Sequence, residues 1–557
     1  MATSNFLSSL GAASANIDIL TATISTLGAL FAAFVVWVFV GYARVLNLRR
    51  KMPPGPFPLP FLGNVGRVPA SKPWRTFDEW SQHYKSPLLT LWNGTHPIVV
   101  INDCWTANEL LDKRANIYSS RPHFILIGDL LDSTTTNQTM LPYGDTWRLH
   151  RKIMHGAVGS QAVRSYRTFQ ANESKILAQD LLENSGKENY VDFIERYSCS
   201  VVTIIGWGRR ISHTGDYLAQ IAISFVQGAA LGNPCQYIIE SYPWLAKLPA
   251  WLYPLPSILW NSGQQSLKYF YALSVEGAEA NEENFAKRLL REREEHGLNY
   301  KEIATLTANL VGGGVDTTTS TIMTFLFVMC VFPDVQRKAQ EEIDRVIGDR
   351  VPDWSDEDAL PYTKALITEV YRWRSVFVLG GPPHAPIQDD FYEGFLIPKG
   401  TTIIGNVWAM HRNPSDYPDP DKFRPERFMD GAERRPHPTK KGLTPFGWGR
   451  RQCSGQPLAE QGIWFTAVEL LWAFKMRAVD DKGNDRKLDI FAFNDSPVSR
   501  PLPFKMEFKP RSDEIASKVR EEAKNARHAL RIYDGETKIT MESAQENFTE
   551  KLIVHSA

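Results

Sequence analysis

The chain has 557 residues, 62 Lys and Arg balanced by 62 Asp and Glu, and 43% hydrophobic side chains. A formal net charge of zero gives no chain-wide basic field, which argues against nucleic acid as the main partner, and the apolar content excludes a disordered chain. The five cysteines (Cys104, Cys199, Cys235, Cys330, Cys453) are odd in number, far apart and without a CxxC pair, which argues against a disulfide framework or zinc ribbon and fits a reducing, cytosol-facing compartment.

In chain order, the first feature is residues 19–43, a run without a charged side chain. As a helix it would reach about 37 Å, more than the ~30 Å of bilayer hydrocarbon. Trp37 and Tyr42 lie near one end, where amphipathic rings favour the interface. Asp18 precedes the run, and Arg44, Arg49, Arg50 and Lys51 follow it. Positive-inside logic then places residues 1–18 in the lumen and everything after the span in the cytoplasm. A cleaved signal peptide is the alternative, disfavoured by the length of the run and the lack of a basic leader. With this topology the sequons at Asn93, Asn137, Asn172 and Asn547 are expected to stay unmodified. Residues 44–60 read as a basic flank and a proline-rich hinge, Met52-Pro53-Pro54-Gly55-Pro56-Phe57-Pro58-Leu59-Pro60, stiffened into an extended spacer by the fixed φ of proline.

Residues 61–511 read as one large domain. Leu88–Trp92 and Ile98–Ile101 alternate as a hairpin about a turn at Asn93-Gly94. Trp147 to about Arg350 is helical by pattern, broken by the Pro- and Trp-rich segment Tyr242–Pro256, and short strands return between Phe395 and Ile404. The fold class expected is mainly α with small β-sheets. Residues 512–557 form a charged tail, helical from Asp513 to about Ile532 and solvated at its end.

Four motifs carry chemistry. Trp147 and Arg151 stand four apart on one helix face, which by itself equally describes a solvated basic face. The helical pattern Ile303–Val328 contains Gly312-Gly313-Gly314-Val315-Asp316-Thr317; each glycine costs about 1 kcal/mol relative to alanine, so the backbone is expected to open or to pass close to a bound group there, unless two shorter helices break at that point. Glu369 and Arg372 are three apart, ordinarily a surface pair worth tenths of a kcal/mol, and Arg427 follows downstream in Pro425-Glu426-Arg427-Phe428. The loop Phe446-Gly447-Trp448-Gly449-Arg450-Arg451-Gln452-Cys453-Ser454-Gly455 precedes another helical pattern. A cysteine at a helix N-terminus beside arginines is expected to have its thiol pKa lowered toward thiolate, and such a lone thiolate suits the axial position of haem iron. A buried inert thiol and a nucleophile remain the alternatives.

The last loop resembles the FxxGxRxCxG signature of cytochrome P-450 enzymes, matched by Phe446, Gly449, Arg451, Cys453 and Gly455. The other motifs resemble that family's in the same order over about residues 50–511. The resemblance implies haem b with Cys453 as proximal iron ligand, Phe446 near the sulfur, and Arg451 on a haem propionate. It implies that Trp147 and Arg151 donate to the propionates, with His384 in Pro383-His384-Ala385 a further candidate. It implies Asp316 and Thr317 as the acid–alcohol pair that delivers protons during oxygen activation, with Gly313 and Gly314 widening the helix beside the iron. Glu369, Arg372 and Arg427 would form a buried structural network. One departure is Ser375, where related sequences often carry proline.

The activity implied is a haem-thiolate monooxygenase of the microsomal type, with wording most like filamentous-fungal enzymes of secondary metabolism. It would insert one atom of O2 into a hydrophobic small molecule of terpenoid or polyketide type. Electrons would come from NADPH through a separate reductase, docked on a basic surface including Lys440, Lys441 and Arg450. The location implied is the endoplasmic reticulum membrane, single-pass, with a cytoplasmic catalytic domain. Substrate contacts are expected from residues 123–140, 308–312, 376–381 and 493–498. The alternatives are a reductase-independent isomerase or dehydratase of oxygenated lipids, which the Asp316-Thr317 pair argues against, and a non-catalytic haem protein.

Overall fold

A computed structural model describes residues 2–227, 237–432 and 435–548, with only the backbone path given for 2–20, 224–227 and 547–548. The first helix, α1 (Ala2–Arg49), is much longer than the 19–43 expected. No proline precedes Pro53, so nothing stops the helix; it runs through the segment expected as a separate N-terminus and carries Arg44 and Arg49 on its last turns. Its part Thr21–Arg49 is long and apolar enough to cross a membrane, by length and composition, and its large apolar side chains stand exposed, Phe31 at 68%.

The hinge is pinned at several points rather than held out as a spacer. Arg49 Nη2 donates to the Gly55 carbonyl at 3.1 Å and covers the Phe57 ring, while the Pro54 carbonyl accepts from Thr90 N at 2.9 Å. Proline lacks a donor but keeps its acceptor, and a neighbouring strand uses it.

The remaining helices of two turns or more are α2 (Pro73–Tyr84), α3 (Asp145–Val158), α4 (Arg167–Glu183), α5 (Tyr190–Trp207), α6 (Tyr217–Gln227), α7 (Leu255–Ala278), α8 (Tyr300–Val331), α9 (Pro333–Val346), α10 (Pro361–Trp373), α11 (Gln456–Ala473), α12 (Asp513–Ala529) and α13 (Met541–Phe548). The strands are β1 (Leu88–Asn93), β2 (His96–Ile101), β3 (Asp390–Tyr392), β4 (Phe395–Ile397), β5 (Thr402–Gly405), β6 (Phe474–Ala478) and β7 (Met506–Pro510), in three small sheets. The fold is therefore helix-rich with small sheets, as expected. Antiparallel β1–β2 is extended by β5, parallel to β2 with Ile98 opposite Thr402. The hairpin turn falls one residue later than expected: Asn93 stays in the ladder opposite His96, and Gly94 takes the left-handed conformation at φ 57°.

The core forms where α4, α5, α8 and α11 meet. α8 begins in a capping box, Asn299 accepting from Glu302 N at 3.0 Å while Glu302 accepts from Asn299 N at 3.0 Å, and Pro333 starts α9 directly after it. α11 is apolar around most of its circumference and accordingly buried on nearly every side.

The tail departs from expectation. α12 lies across α4, tied by Lys175–Glu522 at 2.6 Å and Arg527–Asp180 at 3.1 Å. Part of the end expected to be solvated forms α13, which packs on α7 and buries Ala544. Its charge concealed this: α12 carries an inward stripe of Ile515, Ala516, Val519, Ala523 and Ala526.

Candidate functional site around Cys453

The loop before α11 is closed by Cys453 N donating to the Phe446 carbonyl at 2.9 Å. Phe446 packs at 5.2 Å between ring centroids against Tyr371 of α10, which couples the loop to the helix carrying Glu369. Gly449 is required here: at φ 53°, a Cβ on it would come within 2.3 Å of the Leu111 carbonyl oxygen. Trp448 anchors the other side, its ring filling space a Cβ would need at Gly380 and Gly405. That anchoring was not visible in the sequence, since the two glycines lie far from the tryptophan along the chain.

Cys453 is set deep in the domain, yet its side chain is uncovered. Exposure at that depth means that it faces internal space. Gly313 behaves the same way: it is exposed in the middle of an otherwise largely buried helix, and nothing lies within 4 Å of a Cβ built on it. Gly314 does not share that face. A Cβ there would strike Val202 Cγ1 at 2.4 Å, so this glycine lets α8 approach α5 closely. Of the two glycines expected to widen the helix, Gly313 faces open space and Gly314 faces α5, because neighbours in a helix point about 100° apart.

The thiol also departs from expectation. The amides of Gly455 and Gln456 and the charge of Arg151 pull its pKa down, but burial outweighs them and raises it. The loop alone does not make a thiolate; a coordinated cation would, since a ligating thiol is deprotonated outright.

Beside Cys453 lies a cationic cluster. Arg151 Nη1 donates to Ser454 Oγ at 2.6 Å. Arg451 sits 4.5 Å over the Trp147 ring and donates to the carbonyls of Ser119 at 2.7 Å, Gln138 at 3.2 Å and Leu141 at 2.6 Å. Arg121, which the sequence did not single out, donates to the carbonyls of Thr139, Pro382 and Pro383 at 2.7–2.9 Å. None of the three arginines has a carboxylate partner among the described residues. Burial holds Arg121 down to about 9 and Arg451 down to about 8, their mutual repulsion adding to the latter. A half-buried positive charge without a counter-ion is costly, so this donor set fits a dianion, as the two propionates of a haem would be, beside a thiol able to take its iron.

His384 is corrected. Its Nδ1 donates to the Tyr118 carbonyl at 3.0 Å, and burial with Arg121 and Arg451 nearby holds its pKa down at about 3. The neutral ring has spent its one proton and has none for a carboxylate; Arg121 is the better-placed donor.

On α8, Thr317 Oγ1 donates to the Gly313 carbonyl at 2.7 Å. Asp316 lies 3.7 Å from Arg500, which also donates to Glu195 of α5 at 3.0 Å. Burial raises both carboxyl groups, against the opposing pull of Arg500. The half-buried chain Asp316–Arg500–Glu195 thus leads from α8 toward solvent, and two of its members were missed because they come from other elements.

Of the expected substrate segments, residues 123–140 meet α8 through Thr136 O, which accepts from Thr305 at 2.9 Å, and Asp132, paired with Lys301 at 2.5 Å. Phe377 pairs with Val498 across an isolated bridge, setting 376–381 beside 493–498. Phe493 turns away into the core against Phe327 and Trp373, and Ala308 is buried.

Glu369 and Arg372 are fully buried and paired through two bonds of 2.7 Å. Arg427 lies 3.4 Å from the same carboxylate, and Arg372 also donates to the carbonyls of His411 at 2.9 Å and Pro420 at 3.0 Å. Ser375 takes a related role, donating to the Tyr371 carbonyl at 2.6 Å and meeting His411 Nδ1 at 2.8 Å. On the other side of the loop, Lys441 pairs with Glu460 at 2.6 Å and Arg450 bonds the Tyr143 hydroxyl.

The family model described as Cytochrome P450 matches residues 53–508. Among curated proteins, Cytochrome P450 monooxygenase 58 of Postia placenta is 32% identical, over 87% of this chain and 94% of its own length. Cytochrome P450 monooxygenase FrzL of Cladobotryum sp is 34% identical over 86% and 91%, and Cytochrome P450 monooxygenase virE of Hypocrea virens 32% over 86% and 88%. The chain belongs to the cytochrome P450 family and is an oxidoreductase of the monooxygenase kind.

Proposed function

We propose that this enzyme inserts one atom of O2 into a hydrophobic small molecule, of terpenoid or polyketide type, using electrons that originate in NADPH and arrive through a separate reductase. The observation that carries the reading is the uncovered, deep-set Cys453 beside a counter-ion-free arginine cluster. When bound, haem b supplies the redox chemistry of the family. Cys453 would hold its iron, and Arg121, Arg151, Arg451 and Trp147 its propionates. Around it the chain's own residues position protons: the Thr317 hydroxyl stands one turn from Gly313 and its open face, and Asp316, its pKa raised by burial, is able to pass a proton inward while Arg500 and Glu195 connect it outward.

The chain is taken to be held in the endoplasmic reticulum membrane by α1, with the catalytic domain in the cytoplasm. The exposed apolar face of α1 supports this, together with the aromatic segment beside it: Tyr242 stacks on Phe61 and touches Trp37, while Trp251 is 83% exposed. Asn93 is buried, consistent with a sequon that is never glycosylated. Lys440, Lys441 and Arg450 are assigned to the reductase face.

The test is Thr317→Ala in reconstituted holoenzyme with reductase. The variant is expected to keep the carbon-monoxide spectrum of a thiolate haem while consuming NADPH without matching product. Full coupling would remove the acid–alcohol assignment. Turnover without NADPH or reductase would instead favour the lipid isomerase reading.

A further inference from the structure

The family match ends at residue 508, but the described chain continues to 548 and reaches across the molecule. After α12 it is seated on a buried ionic junction: Arg210 N donates to the Tyr533 carbonyl at 2.9 Å, Arg210 lies 3.4 Å from Asp534, and Arg210 also binds the buried Glu173 of α4 at 3.0 Å. Arg209 Nε donates to the Gly535 carbonyl at 2.5 Å. From there the chain binds the two helices on either side of residues 228–254. Thr537 Oγ1 and Lys538 N both donate to the Glu276 carboxylate of α7, at 2.6 and 2.9 Å. Met541 N donates to the hydroxyl of Tyr217, the first residue of α6, at 3.1 Å. α13 then lies on α7, with Ala544 buried and Gln545 donating to the Gln265 carbonyl at 3.2 Å.

Both helices pack on α8, whose Gly313 borders the open space, and α7 also meets residues 125–132, with Gly263 against the Leu131 backbone and Gln264 donating to Asp132 at 3.1 Å. We infer that α6 and α7 cover the site on the α8 side and that residues 534–548 are a strap: fixed at Arg209 and Arg210, they clamp α6 and α7 to the body and set how readily the cover lifts to admit a large ligand. Elements that open are drawn from the least stable parts of a fold, and charged hydrogen bonds added across such a cover shift its opening directly.

Two full-length variants test this, Ala544→Glu, which unseats α13, and Glu276→Ala, which frees residues 537 and 538. By hydrogen exchange, α6 and α7 amides should open about tenfold faster in either variant, with α8 and α11 unchanged. Unchanged exchange in α6 and α7 would overturn the strap, as would acceleration spreading into α8 and α11, the mark of general destabilisation. In holoprotein, a bulky azole followed by its spectral shift should bind faster in the variants, and carbon monoxide at the same rate; an unchanged azole rate would remove the link to ligand entry. Only this second readout rests on the proposed site, so failure of that site leaves the exchange result standing.

Discussion

Two sets of arginines, one buried around Glu369 and one half-buried beside Cys453, are built on opposite principles. Arg372 and Arg427 converge on Glu369, and the remaining donors of Arg372 reach carbonyls. Among the described residues Arg121, Arg151 and Arg451 reach carbonyls, a hydroxyl and a ring, with no carboxylate. The first set is complete within the chain and fixes the meander against α10. The second lacks an internal counter-charge among the described residues, and in the proposed function an anion supplies it. Closing a charge balance internally gives rigidity, and leaving it open gives a binding site at some cost to the empty protein.

The largest expected effect comes from opening the closed set. Glu369→Gln strands two guanidinium groups, and loss of one partner of a buried pair typically costs about 3–5 kcal/mol; denaturant unfolding should show it as a strongly lowered midpoint, and a change under about 1 kcal/mol would mean that the pair is not essential. Next is a buried charge of opposite sign. Glu469 of α11 is buried with neither carboxylate oxygen bonded among the described residues, and burial raises its pKa from 4.5 to about 7. Because the folded value is the higher one, its contribution is fully present below pH 4.5 and is lost as pH rises to about 7. The shift corresponds to about 3 kcal/mol, so Glu469→Gln should be more stable than the parent by that order at pH 8, and equal to it near pH 4. Equal stability at both pH values would refute the burial argument.

The open set should respond differently from both. Arg151→Met removes an unbalanced charge, so the haem-free protein should be at least as stable as the parent, while the holoprotein loses haem to an apo-globin acceptor roughly tenfold faster, as expected for a charged hydrogen bond of about 1.5–3 kcal/mol. A matching loss of apo stability would make the cluster merely structural. Smallest is Lys441→Ala at the rim. Its exposed pair with Glu460 is worth under about 1 kcal/mol, so folding should be unchanged, and the reductase KM should rise modestly at low salt and converge at high salt.

The features readable in the sequence share a physical property: their parts lie within one turn or one loop. Glu369 and Arg372 are three residues apart on α10, Phe446 and Cys453 close one loop, and Asp316 and Thr317 are adjacent. Local geometry determines such arrangements, so the mainly helical fold followed from residue order and spacing, and the chemistry class from the family resemblance that these local motifs carry. The long apolar run was equally legible, though the actual end of its helix was not, because the hinge beyond it is held by contacts to β1.

What only the tertiary structure decided involves partners hundreds of residues apart or helix faces with a single outward direction. Arg121 and Arg500 become functional candidates through elements they do not belong to, Gly313 and Gly314 separate because one faces open space and the other α5, and His384 loses its expected role to a carbonyl at Tyr118. The charged tail resembled a solvated end because its apolar stripe is short and its partners, α4 and α7, lie far back in the chain. Composition reports how much charge a segment carries. Where that charge finds its partner depends on packing.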